Sequence, residues 1–247
     1  MKQIGFCHGV LFKTRDVYLE ENIDVFKKCG CNAIEINCHS YLEVEKLEGM
    51  LSYLEGFDYV SIHLPRDIKY KNDDKTKSLL AKIDDFYMKS GAKLAVVHPD
   101  LVEDWSVFDD YSINWAIENM DDRKKSFKYY NDLRKFFMEH GQGNLVLDLG
   151  HCNANDKTMA LADKLISEFK NIIKEIHLSG YEILHDPLYK TKQVEIIKYC
   201  GELDVPIIIE SIFEESDGIE GVKKEFDYIF NEFEVSALVL TASSKVV

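Results

Sequence analysis

LVLDLGHCNANDKTMALADKLISEFKNIIKEIHLSG, residues 145–180, is the stretch that decides the fold. It opens on a short apolar run that closes with Asp148 and His151. A helical segment over 158–170 follows, and then a second run, IKEIHLSG (173–180), which contains His177. Apolar runs this short, with no solvated face, suit strands buried on both sides. Two such strands joined through a helix lie parallel, because a parallel pair needs a crossover connection rather than a hairpin.

Working outward, the same unit recurs along the whole chain. The other runs are IGFCH (4–8), AIEINCH (33–39), YVSIHLP (59–65), LAVVHP (94–99), INWAIEN (113–119) and VPIIIES (205–211), which makes eight in all. Helical segments are expected over 16–29, 74–90, 122–140, 158–170, 190–200 and 218–233. Gly30, Gly91, Gly141 and Gly201 stand where helices of this kind stop. The connection over 100–112 is short and acidic, so any helix in it is brief. Strict alternation of strand and helix predicts an α/β fold, and eight repeats in 247 residues predict a single (β/α)8 TIM barrel. The barrel is expected over 1–235, followed by an apolar C-terminal tail over 236–247 whose structure and role the pattern leaves open. That tail is a candidate contributor to a homo-oligomer.

Composition narrows the partners. Lys and Arg number 30 against 44 Asp and Glu, a formal charge of −14. A broad basic surface for nucleic-acid phosphates is therefore not expected. No apolar run approaches the roughly 20 residues of a membrane helix. The first residues, MKQIGFCHGV, lack the apolar core and cleavage site of a secretory signal. The six cysteines are scattered and form no C-x-x-C pair, which suggests reduced thiols and a cytoplasmic protein.

The ends of the runs carry the chemistry. They finish on His8, His39, His63, His98, Glu118, Asp148 with His151, His177 and Glu210. In a (β/α)8 barrel these positions converge at one mouth, where active sites are built. Imidazoles and carboxylates gathered there suit zinc, manganese or a similar divalent ion. A lone histidine after a strand is more often a hydrogen-bonded structural residue than a ligand. Three carboxylates following apolar runs at the same end are harder to explain that way, because buried carboxylates need a partner or a cation. His140 precedes Gly141 at a helix end, where a cation suits the dipole, and needs no functional reading. Glu35 lies inside the second run and must be paired if buried. His8, His39 and Arg66 are candidates for contact with substrate. Lys69 and Lys71 form, with Arg66, the one basic cluster near the mouth, which reads either as a phosphate site or as ordinary surface.

The ordered motifs SIHLP, VVHP, AIENM, LDLGH, EIHLSG and IIIES resemble the xylose isomerase-like barrel superfamily, which includes sugar phosphate isomerases and epimerases and endonuclease IV. The resemblance runs from the first strand to the last helix, and two branches imply different chemistry. In the epimerase branch one metal is held by a Glu, an Asp, a His and a second Glu, matched here by Glu118, Asp148, His177 and Glu210. Glu118 and Glu210 would then act as catalytic acid and base on a small sugar or sugar phosphate, with the metal stabilising an enediolate. The endonuclease IV branch holds three zinc ions. His63, His98 and Glu118 match the first site, the Glu–Asp–His–Glu set the second, and His151 and His185 two ligands of the third. The aspartate that completes the third site is replaced by Ile183, and Asp186 follows His185 out of register. The expectation is one to three divalent ions, zinc or manganese. An isomerase or epimerase is the leading reading, and a zinc phosphoesterase of endonuclease IV type is the alternative. The acidic charge weighs against nucleic acid as the substrate.

Overall fold

The computed structural model describes residues 2–141 and 143–243, with side chains as far as 233. The eight runs form eight parallel strands closed in sequence order into one barrel. The strands are β1 (Ile4–Cys7), β2 (Ala33–Asn37), β3 (Tyr59–His63), β4 (Leu94–Val97), β5 (Trp115–Glu118), β6 (Asn144–Asp148), β7 (Ile173–Leu178) and β8 (Ile207–Ile209). The three residues of β8 close the ring, with Ile207 opposite Ile4 of β1 and Ile176 of β7. This is the single (β/α)8 barrel that the alternation predicts.

The helices are α1 (Glu20–Cys29), α2 (Asp74–Ser90), α3 (Tyr130–His140), α4 (Leu149–Asn155), α5 (Ala160–Phe169), α6 (Leu188–Thr191), α7 (Val194–Ile197) and α8 (Gly218–Ser243). Gly30, Gly91 and Gly141 stop α1, α2 and α3 in the left-handed conformation, at φ 95°, 67° and 64°. Only glycine adopts that backbone at no steric cost.

Several expected helices differ from those found, each for a local reason. The segment 122–140 is helical only from Tyr130. Before it, Met120 N–H donates to the Phe127 carbonyl, and Phe127 sits at φ 60°. Those two facts fold 119–128 into a loop over the barrel mouth. The segment 190–200 breaks into short turns because Lys192 is left-handed, at φ 60°. After β2 the chain runs as 3-10 turns from Tyr41 to Leu54, closed at the start by Ser40 and Glu43 as a capping box. Helix α8 continues to Ser243, through the first part of the tail expected over 236–247. Residues 244–247 lie outside the described residues. Among the described residues no helix is long and apolar enough to cross a membrane.

The outer faces of the strands bury against the helices. Phe6 stacks on Phe26 of α1 at 5.1 Å and meets Phe213 at 6.2 Å. Burial of such side chains stabilises by about 1.5–3 kcal/mol each. Strands β1 and β2 approach closely at Gly5, where a methyl group would lie 1.6 Å from the Ala33 carbonyl oxygen. The inside of the barrel is less ordinary. Barrels of this kind usually fill it with Val, Ile and Leu. Here Glu35 of β2 reaches His177 of β7 from within the ring, and Glu175 joins them. All three are fully buried.

Candidate metal centre

The two-residue period of a strand decides which side chains face inward. It places His63, Glu118, Asp148, His177 and Glu210 around one point at the carboxyl ends of β3, β5, β6, β7 and β8, with His98 following β4. Glu118 is the junction. Its Oε2 lies 3.0 Å from His98 Nε2 and 3.5 Å from His63 Nε2. Its Oε1 lies 3.1 Å from His177 Nδ1, which is also 3.5 Å from Glu210 Oε2.

Among the described residues five sets of ligand atoms have all their atoms within 4.8 Å of one another; two of them involve Glu35, and the other three gather around Glu118 and Asp148. Of these three, the first is His63, His98 and Glu118; the second is Glu118, Asp148, His177 and Glu210; the third is Asp148, His151 and His185. Glu118 joins the first to the second, and Asp148 joins the second to the third. Asp186 does not supply the carboxylate missing from the third set. Its Oδ2 accepts the N–H groups of Glu182, Ile183 and Leu184 at 3.1, 2.7 and 3.1 Å, which fixes the loop that holds His185 at φ 47°. Asp148 stands beside His151 instead, at 3.3 Å.

The surrounding hydrogen bonds leave ligand atoms free. His63 Nδ1 meets the Leu64 carbonyl at 3.0 Å and His151 Nδ1 the Asn119 carbonyl at 2.8 Å. A carbonyl only accepts, so each Nδ1 carries a proton, and in the neutral ring each Nε2 keeps its lone pair. Glu118 Oε2, Asp148 Oδ2 and His151 Nε2 are buried without a hydrogen-bond partner. Unpartnered buried oxygen and nitrogen atoms facing one another are costly unless a cation lies between them. The donor set therefore fits divalent ions, nitrogen-rich in the first and third sets and oxygen-rich in the second.

Charge is divided unevenly. Burial would raise Glu118, but the imidazoles of His177, His63 and His98 packed around it outweigh burial and hold the carboxyl well below its usual range. Asp148 goes the other way. Burial, with Glu118 and Glu210 adding to it, pushes the carboxyl up to about 8. Burial lowers His98 and His185 each to about 4, so both are neutral and able to ligate at pH 7.

Beneath the ligands, His177 Nε2 is 3.0 Å from Glu175 Oε1 and 3.2 Å from Glu35 Oε2. Its Nδ1 faces the metal set and its Nε2–H points to carboxylates. Such a partner orients a ligating imidazole and raises its basicity. Glu35 and Glu175 precede Asn37 and His177 by two residues, so strand period alone marks them as sharing the inner face.

At the rim a cavity of about 280 Å³ is lined by Cys7, Phe12, His39, Arg66, Arg123, His185 and Glu210, among others. His39 accepts a hydrogen bond from Arg66 at its Nδ1, 3.1 Å away. His8 is not brought to this cavity. It is fully buried with its ring against Tyr18 at 5.2 Å, and its Nδ1 accepts from the Asn37 N–H at 2.9 Å. The basic cluster at 66–71 is not gathered either. Lys69 donates to the Asp100 carbonyl and Lys71 pairs with Asp73, so of the three only Arg66 lines the cavity.

No family model matches the chain, and no curated protein matches it in sequence. Solved structures match it over nearly its whole length. A 3-keto-D-glucoside 4-epimerase from E. coli superposes with a TM-score of 0.67 at 12% identity, over 94% of this chain and 100% of that one. An L-ribulose 3-epimerase gives 0.67 at 14%, over 99% and 98%. A probable 3-DHS dehydratase from Bacillus anthracis gives 0.67 at 12%, over 93% and 99%. At these identities the likeness is one of fold. The chain has the fold of the xylose isomerase-like barrels.

Proposed function

We propose that this chain is a divalent-metal-dependent isomerase or epimerase acting on a small sugar-type substrate. The observation that carries the reading is the second ligand set, in which two glutamates from different strands, Glu118 and Glu210, flank Asp148 and His177. Those four residues would hold the ion. When bound, it supplies positive charge for an oxygen anion developing on the substrate. Glu118 and Glu210 reach the set from β5 and from the end of β8, and would face the reacting carbon from two sides. One takes a proton from a carbon next to a carbonyl, and the other delivers a proton to the neighbouring position or the opposite face. Asp148 and His177 hold the set in place. The cavity at the rim is small, which favours a metabolite over a polymer. The likeness of fold to two sugar epimerases supports the same class.

A second reading, a metal-dependent phosphoesterase, is favoured by one observation. The three ligand sets share Glu118 and Asp148, and closely spaced ions suit in-line displacement at phosphorus. Elemental analysis of protein purified without chelator, beside assays on ketoses and on an abasic-site duplex, separates the two. One ion per chain with ketose turnover supports the isomerase. Two or three zinc ions with duplex cleavage would overturn it. Glu118→Gln is expected to lose both metal and turnover. A variant that kept both would sink the site assignment.

A further inference from the structure

We propose that Arg66 and Arg123 form an anion subsite at the barrel mouth, and that the substrate is a phosphate monoester, a phosphorylated rather than a free sugar. This rests on the reading of a small substrate at the ligand set and narrows its class.

The chain has only four arginines among its 30 basic residues. Two of the four, Arg66 after β3 and Arg123 in the loop after β5, line the same 280 Å³ cavity as Glu210 and His185. They also line the adjoining cleft, which reaches His63, His98, Glu118 and His151. The other two lie elsewhere: Arg15 is beside Asn22 of α1, and Arg134 is on α3.

Both guanidiniums at the mouth are tethered, and both keep donors free. Arg123 gives its Nε and Nη2 to a single oxygen of the buried Asp121, the Nε bond at 2.7 Å, and Tyr181 donates to that same oxygen at 3.0 Å. Its Nη1 has no partner in that arrangement, and the side chain remains half exposed. Arg66 is held by one bond from Nη2 to His39, and no carboxylate among the described residues lies within ion-pair distance of it. A guanidinium without its counter-ion beside a cavity, in a chain of net charge −14, is a donor fork awaiting an anion. Free donors of two guanidiniums on two loops match the several oxygens of a phosphate group, whereas one carbonyl or hydroxyl of a free sugar would leave them unfilled. Val10, Phe12, Leu184 and Ile212 also line this cavity and offer no polar side-chain contact, so its cationic donors are the two arginines.

The test measures inorganic phosphate binding by calorimetry at low salt to the protein as purified, and to Arg66→Gln, Arg123→Gln and the control Arg134→Gln. Loss of either mouth arginine is expected to weaken phosphate binding about tenfold or more, and the control to leave it unchanged. Because Arg66 is exposed, its variant carries the test if Arg123→Gln does not fold. A parallel arm compares D-ribulose 5-phosphate with D-ribulose. Arg66→Gln is expected to weaken binding of the phosphorylated ketose alone, with metal content unchanged. Phosphate that binds equally to Arg66→Gln and Arg123→Gln, or a wild-type protein that binds none, would overturn the subsite. Phosphate binding lost in Arg66→Gln, without ketose turnover by the wild type, would leave the subsite standing and remove the isomerase reading. Turnover indifferent to phosphorylation would do the reverse.

Discussion

Glu175 has no contact with the cavity at the mouth, yet its carboxylate meets the far nitrogen of His177. If His177 Nδ1 ligates, Glu175→Gln removes the charge that sharpens it. The expected result is a 10–100-fold weaker metal affinity by competition titration, with the fold unchanged by circular dichroism. Equal affinity in the variant would show that the pair only fills space. His8 offers a contrast, being buried, neutral and remote from the ligands. Burial, and His39 after it, lower it to about 3, against an unfolded value near 6.5. Between those limits the unfolded chain binds a proton that the folded chain does not, so stability falls as pH drops through this window. His8→Asn keeps an acceptor for the Asn37 N–H and is expected to flatten that fall. Urea denaturation at pH 7.5 and pH 5 reads it, and parallel losses in both proteins would refute the assignment. The side chains that gather in the candidate centre were legible as polar residues closing apolar runs. Arg123 was not, because its placement depends on the loop over 119–128, held by a backbone bond no local pattern announces.

Asp148 shows one element serving two ends. Its Oδ1 accepts the His151 N–H at 2.7 Å and so caps α4, while its Oδ2 is unpartnered and faces the ligand sets. Asn caps as well as Asp. Asp148→Asn is therefore expected to hold stability within about 0.5 kcal/mol of Asp148→Ser, another good cap, while both lose metal. Asp148→Ala adds a cap loss of about 1 kcal/mol. Thermal melts of the metal-stripped variants decide this, and an alanine variant as stable as the asparagine one would deny the cap. Helix α4 itself was missed in sequence because LGHCNAN carries no apolar stripe of its own. Helices α1 and α2 were readable from their periodicity and terminal glycines. The 3-10 turns over Tyr41–Leu54 were not, since an apolar spacing fit for a helix says nothing of how tightly it winds.

At the scale of the whole molecule, the barrel followed from repetition. Eight buried runs separated by helices admit few topologies, and right-handed crossovers leave the closed ring. What repetition could not supply was the interior, because the direction of each side chain depends on register across all eight strands. The ligand sets tie β3, β5, β6, β7 and β8 together, so a bound ion acts on the global equilibrium. At a hundredfold excess over its dissociation constant a ligand adds about 2.7 kcal/mol, roughly 5–10 °C in the melting temperature of a chain this size. Adding zinc or manganese to chelator-treated protein is expected to raise the melt by that order, and no shift would contradict the centre. The carboxylates inside the ring have a further consequence for anyone reshaping this chain. Glu35 and Glu175 occupy positions that other barrels give to aliphatic packing. Stability screens would drift toward refilling that floor with Leu or Met, yielding a sturdier scaffold in which nothing braces His177. Selection for heat resistance alone would thus undo the proposed centre from below, without touching a single residue at the mouth.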